Sequence, residues 1–281
     1  MIMPRKDKPE KKSKPPTPQS LLRSIERHLH ETSGVDEDTA FEAQQLFYDA
    51  MEAETDEEER KLITKALELD PTNVDALLTY ARNCSFTDEE YIEVVRKIVS
   101  VGEKNLGPQA FKEDAGHFWG LLETRPYMRA REELAEALRY AGRLGEAAAE
   151  WEAMLKLNPN DNQGVRYHLL PCCLALGRLE TARKLMDKYE GDCEYNTVFA
   201  WGKVLERFLS WDLPAAEKAL QVARKQNPYT QGFIKGHRQL PKYMPDSYAM
   251  GSKEEAVCYA EVLGMAWSKH PAALQWLAEQ K

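Results

Sequence analysis

The sequence first informs by what it lacks. No window approaches the roughly 18 consecutive apolar residues of a membrane-crossing helix, so no membrane span is expected. Alternation of valine, isoleucine and threonine is missing throughout, which removes the usual signal of strands. The five cysteines are odd in number and nowhere spaced C-x-x-C. Adjacent Cys172 and Cys173 sit in an apolar helical pattern and read as small buried thiols rather than a disulfide or metal ligands. That cysteine usage points to a reducing compartment, and a cytoplasmic location is expected. None of the six histidines falls in an H-E-x-x-H run. There is likewise no G-x-S-x-G, no P-loop and no G-x-G-x-x-G. No catalytic residue, no metal and no cofactor is expected on these grounds.

The formal net charge of −8 hides an asymmetry. Residues 1–20, "MIMPRKDKPEKKSKPPTPQS", carry six basic residues against Asp7 and Glu10, a balance of +4, so the remainder sums to −12. An acidic body argues against general nucleic-acid binding, which needs clustered basic charge, and no specific nucleic acid is expected as a partner. The basic segment has too little apolar surface to offset ordering entropy and reads as a disordered tail. No apolar run follows its charges, so an ordinary secretory signal is not expected. Residues 21–34 read as a short amphipathic helix, with Leu22, Ile25 and Leu29 on one face and Gly34 as its stop.

From about residue 36 the chain repeats itself. Gly142-Arg143 and Gly177-Arg178 lie 35 residues apart, as do Ala147 and Ala182, and Ala216 follows 34 later. Pro71, Pro159 and Pro228 each close an apolar-periodic segment after an Asp or Asn. This period is the tetratricopeptide pattern of two antiparallel helices per repeat. Small Ala135, Ala147 and Ala182 let paired helices approach, bulky Trp151 and Leu220 fill the gap to the next repeat, and Gly142 and Gly177 allow tight turns. Proline after the second helix stops it, and Thr72/Asn73 and Asn160/Asp161 cap the next. Repeats are expected at about 40–73, 74–109, 128–161, 162–196 and 197–230, with 110–127 as an additional helix.

The fold expected is therefore all-α, a right-handed solenoid of tetratricopeptide-type hairpins with a C-terminal helical cap. Residues 21–109 hold an N-terminal helix and the first repeats, 110–230 the core repeats, and 231–281 an irregular excursion followed by capping helices. Within the last part, Ser252 and Glu255 form a capping box that opens a helix to about Ser268, and a short helix from Pro271 shields the apolar end.

The runs "HFWGLLETRPYMRA", "NPNDNQGVRYHLL" and "DSYAMGSKEEAVCYAEVLGMAW" resemble tetratricopeptide proteins of the suppression-of-tumorigenicity-seven type and their soluble bacterial relatives. The resemblance covers roughly residues 110–281 and implies a helical repeat protein with no established catalysis. Its eukaryotic members look membrane-associated, a feature this sequence does not carry over.

In such solenoids the first helix of each hairpin lines a concave groove whose exposed side chains recognise the partner. Arg125, Tyr127, Arg129 and Arg131 gather at Pro126, and Asn160, Asn162, Gln163, Arg166 and Tyr167 open the helix one repeat later. Stacked, Arg129 and Arg166 would come near each other, a pairing suited to a carboxylate or acidic peptide. The expected function is a protein- or peptide-binding scaffold for an acidic or carboxylate-bearing partner, with His117, Glu123 and His237 as further candidate positions. The alternative is an enzyme or small-molecule sensor with a pocket beneath Phe233, Tyr243 and Tyr248 of the 229–250 excursion. A third is a homo-oligomeric scaffold, the oligomeric state being open. The bland reading of the same residues is caps for the asparagines, helix-surface ion pairs for the arginines, and packing for Trp119, Trp151, Trp201 and Trp267. The chaperone-type carboxylate clamp is not expected, because Glu132 and Glu136 stand where it would need Lys and Asn.

Overall fold

The computed structural model describes residues 18–30 and 35–280. Among them all regular elements are helices and there is no strand. Most of the expected tail, residues 1–17, and the expected stop at Gly34 lie outside the described residues. The described chain divides into two compact units after Pro108.

The first unit holds α1 (Pro18–His30), α2 (Glu37–Met51), α3 (Asp56–Leu69), α4 (Val74–Arg82) and most of α5 (Asp88–Glu113). Helix α1 begins inside the segment expected to be tail, and buries Leu21 and Ile25. Each of the next three helices starts where a short polar side chain can take a free backbone donor: Asp36 caps Thr39, Thr55 caps Glu58, and Asn73 caps Ala76. Helix α2 folds back on α3, and Leu46, Phe47 and Ala50 close a core with Ile63, Ala66 and Ala76. Helix α5 breaks at Gly107, whose φ of 70° is left-handed and is followed by Pro108. Both residues oppose continued helix, which is why the chain passes between units there.

The second unit runs through α6 (Arg125–Tyr140), α7 (Leu144–Leu157), α8 (Arg166–Ala175), α9 (Leu179–Lys188), α10 (Asp192–Tyr195), α11 (Thr197–Leu209), α12 (Leu213–Gln226), α13 (Thr230–Ile234), α14 (Lys253–Ser268) and α15 (Pro271–Glu279). Helices α6 and α7, α8 and α9, and α11 and α12 pack as consecutive pairs across short turns. Gly142 and Gly177 sit at φ of 75° and 69° in the first two of those turns. In the third turn the equivalent place holds Trp211, a non-glycine residue at φ 61°.

Ala135, Ala147, Ala182 and Ala216 are fully buried where the helices meet, as are the larger Trp151, Trp201 and Trp267. Truncating a buried tryptophan of this kind typically costs about 3–5 kcal/mol, so these rings fix the spacing between hairpins. Helix α14 lies across α8 and α11 rather than merely following α12. Its Trp267 meets Trp201 edge-on at 6.4 Å, and Nε2 of His270, just beyond it, lies 2.8 Å from the Leu174 carbonyl oxygen. Helix α15 then brings Trp276 against Phe208, with ring centroids 5.3 Å apart.

One sequence expectation is corrected here. Residues 110–127 do not form an additional helix: α5 ends at Glu113 and residues 114–124 are a string of turns before α6. The N–H groups of Gly116 and Phe118 both donate to the Leu157 carbonyl, at 3.0 and 3.2 Å, which pins these turns to the end of α7. The buried Thr124 hydroxyl donates to the carbonyls of Phe118 and Leu121. Those bonds take backbone acceptors that a continuous helix would have used internally.

Candidate functional site

Tyr127 is buried in an aromatic cluster, 5.3 Å from Phe111 and 6.1 Å from Phe118 between ring centroids, and belongs to the core. Arg125 lies over Trp119 at 5.4 Å and donates through Nε to the Trp119 carbonyl at 2.9 Å. Arg131 donates through Nε to Glu150 of α7 at 2.8 Å and through Nη1 to the Tyr127 hydroxyl at 3.3 Å. Arg129 is partly exposed on the same helix.

Arg166 is the most fully engaged. Its Nε donates to Asp192 at 2.5 Å, Nη1 to the Asp161 carboxylate and carbonyl at 2.8 and 3.1 Å, and Nη2 to the Tyr167 hydroxyl at 2.5 Å. The guanidinium also lies over the rings of Tyr167 and Tyr189, at 4.2 and 5.0 Å. The expectation that it stands ready for an incoming carboxylate is therefore corrected, because two carboxylates of its own chain already occupy it. Asp161 does double duty. At φ 49° its side chain accepts the N–H groups of Val165 and Arg166, so it caps α8 as well as pairing with Arg166.

Asn160 and Asn162 flank that cap and are exposed. His117 and Glu123 are exposed on the 114–124 turns, and His237 is exposed beyond α13. Phe233 is buried with Ala256, Val257 and Ala260, Tyr243 is 75% exposed, and Tyr248 pairs hydroxyl to hydroxyl with Tyr259 at 2.7 Å.

What crosses from α6 to the start of α8 keeps one expected site residue, Gln163, and adds Glu132, Glu136, Arg139 and His168. Gln163 Nε2 donates to Glu132 at 2.7 Å, and His168 Nδ1 lies 3.1 Å from Glu136 Oε1. Arg139, nearly buried, donates to Glu136 at 2.8 and 3.0 Å and to Glu261 of α14 at 3.0 Å. The His168 ring lies 5.7 Å from that of Trp151, which backs the row. Glu132, Glu136 and Arg139 recur every three to four residues on α6, on the side away from buried Leu134, Ala135 and Leu138. That spacing is visible in the sequence, although Glu132, Glu136 and Arg139 are not among the expected contact residues.

The electrostatics of the row are uneven. Burial raises the Glu132 carboxyl above the ordinary range, offset only in part by Gln163 and His168, while Glu136 and Asp161 add to the rise. Burial pushes Glu136 upward as well, but His168 and Arg139 outweigh it and hold that carboxyl below the usual range. Glu136 Oε1 and His168 Nδ1, 3.1 Å apart, face one another across the two helices. Gln163 Oε1 is buried with no hydrogen-bond partner. Polar atoms left so cost free energy unless something else engages them.

No group of histidine, cysteine, aspartate and glutamate side chains among the described residues is arranged to hold a metal ion. No helix among the described residues is long and apolar enough to cross a membrane. No protein-family model matches the chain, and a search of the curated proteins finds no match to it.

Proposed function

We propose that the protein is a binding scaffold, a tetratricopeptide-type solenoid whose α6–α8 face recognises a protein or peptide partner. The carrying observation is the row Glu132, Glu136, Gln163 and His168. It joins α6 to the turn at Gln163 and to α8, and the buried Gln163 Oε1 in it has no hydrogen-bond partner. A peptide backbone presents donors and acceptors at a spacing such a row can meet, and a helical-repeat groove holds it extended. Support for the repeat arrangement comes from the 34- to 35-residue period and from the paired packing of α6 with α7, α8 with α9 and α11 with α12. The carboxylate-bearing partner is not carried forward for Arg131 and Arg166, which each pair with a carboxylate of the chain itself.

The test compares the wild-type chain with a Gln163→Ala/His168→Ala variant of verified melting temperature in affinity capture. A protein retained by the wild type and lost by the variant locates recognition on this face. Equal capture by both removes the face from the proposal. Arg166→Ala serves as a contrast: it is expected to lower stability, through Asp161 and Asp192, more than it lowers capture.

A further inference from the structure

Among the described residues, one face of helix α2 is left uncovered. Its buried side consists of Ala43, Leu46, Phe47 and Ala50. A second apolar stripe runs along it at Phe41, Tyr48 and Met51, which are 67%, 43% and 49% exposed. The positions are seven and three residues apart, with Gln44 between them, so they share one side of the helix. Gln44 is tied down, donating to Asp75 at 2.9 Å and accepting from Asn73 Nδ2 at 3.0 Å, so the stripe is presented by a helix whose rotation is fixed. Single exposed apolar residues need no explanation, but three in register on one helix do.

The surroundings of the stripe specify what would cover it. From Asp36 to Glu59 the chain carries eleven acidic residues and no Lys, Arg or His. Glu37, Asp38, Glu42, Asp49, Glu52 and Glu54 are all exposed. A second copy of the chain brought face to face would set this negative field against itself. Residues 1–20 are basic enough to answer it but offer only Met1, Ile2 and Met3 as large apolar groups, too few and too clustered to line the stripe. An anionic lipid surface is repelled by the same field.

We propose that α2 is a docking site for a basic amphipathic helix of another protein. Its apolar side would lie along Phe41, Tyr48 and Met51, and lysines or arginines on its flanks would meet Glu42, Asp49 and their neighbours. This is helix-in-groove recognition, with apolar anchors setting register and charge setting which helices are accepted. It is independent of the α6–α8 face, and either reading can fail alone.

The probe is a labelled peptide of about 18 residues, roughly five helical turns, with leucine on one side and lysine on the other. Its binding to the full chain is followed by fluorescence anisotropy. Saturable binding is expected, weakened about tenfold or more by Phe41→Ser/Met51→Ser and weakened by added salt. A scrambled peptide of equal composition is expected to bind at least about tenfold less well, and a leucine–glutamate counterpart not to bind. A separate variant, Asp38→Lys/Glu42→Lys/Asp49→Lys, keeps the stripe intact. It is expected to lose the lysine peptide and gain the glutamate one, so the proposal stays testable if the serine variant folds poorly. Equal binding of the scrambled peptide would reduce the effect to general charge attraction and overturn the proposal. So would wild-type affinity in both variants, or no saturable binding. A concentration-dependent dimer that the serine variant abolishes would assign the stripe to a second copy instead.

Discussion

The Glu255 carboxylate accepts the backbone N–H of Thr197 at 3.1 Å, across 58 residues of chain. It is fully buried, and its other hydrogen-bond donors are also neutral: Asn227 Nδ2 at 3.0 Å, the Gly251 N–H, and Gln226 Nε2. The capping box expected at Ser252 and Glu255 is thus half realised. Ser252 caps the Glu255 N–H at 3.1 Å, but the glutamate turns inward and takes the Gly251 N–H one residue upstream. One carboxylate thereby joins the end of the excursion, the start of α14 and the start of α11. Glu255→Gln presents an amide donor toward a cage of donors and is expected to destabilise by about 2–4 kcal/mol in urea unfolding. A loss below about 0.5 kcal/mol would show that the cage relaxes without it.

The hairpin turns were legible because their chemistry is local. A left-handed residue after each first helix calls for glycine, and Gly142 and Gly177 supply it. Trp211 breaks the rule in the third turn, at φ 61° and 88% exposed. Its ring recovers little burial to offset a strain of order 1 kcal/mol. Replacing a tryptophan usually destabilises, but Trp211→Gly is expected to be neutral or stabilising by up to about 1 kcal/mol. Thermal melts of the two proteins decide it, and a fall of several degrees would mean the ring has a packing role.

The site was less legible, because its members meet only through tertiary packing. Arg125, Arg129, Arg131 and Arg166 look alike along the sequence, whereas Arg166 is consumed by Asp161, five residues upstream, and Asp192, 26 residues downstream. Nothing local announces Asp192 as its partner. Nor does spacing within one helix reveal that Glu132 meets Gln163, 31 residues away. Charge counts along a segment do not show which carboxylate an arginine meets, and the contacts among α6, the turn at Gln163 and α8 follow from the packing of the helices.

The reading of adjacent cysteines as buried thiols has its own check. Burial pushes Cys172 up to about 11 and Cys173 up to about 12, and both side chains are fully buried on α8. At pH 8 a thiol of the first kind is ionised only about one part in a thousand, and the thiolate is the reactive form. Neither is expected to react with a disulfide reagent in the native protein, and both should react on unfolding in guanidinium. Peptide mapping of the modified protein reads this directly. Native labelling of Cys172 at a rate near that of a free thiol would show that α8 opens locally.

Glu132 gives a pH-dependent test of the α6–α8 face. Its carboxyl is raised by burial, so the folded chain holds that proton more tightly than the unfolded chain does. The cost of ionising it in the fold is absent well below the ordinary carboxylate range and grows as pH rises through that range to the folded value. Glu132→Gln removes the charge and keeps an oxygen to accept the Gln163 Nε2 bond. The variant is expected to be more stable than wild type at pH 7, by up to about 1 kcal/mol after allowance for solvent screening, and to match it below about pH 4. Denaturant titrations at the two pH values give the difference. A variant less stable at pH 7 would mean that the ionised Glu132 is already balanced in the fold, and the face would then have no uncompensated charge to offer a partner.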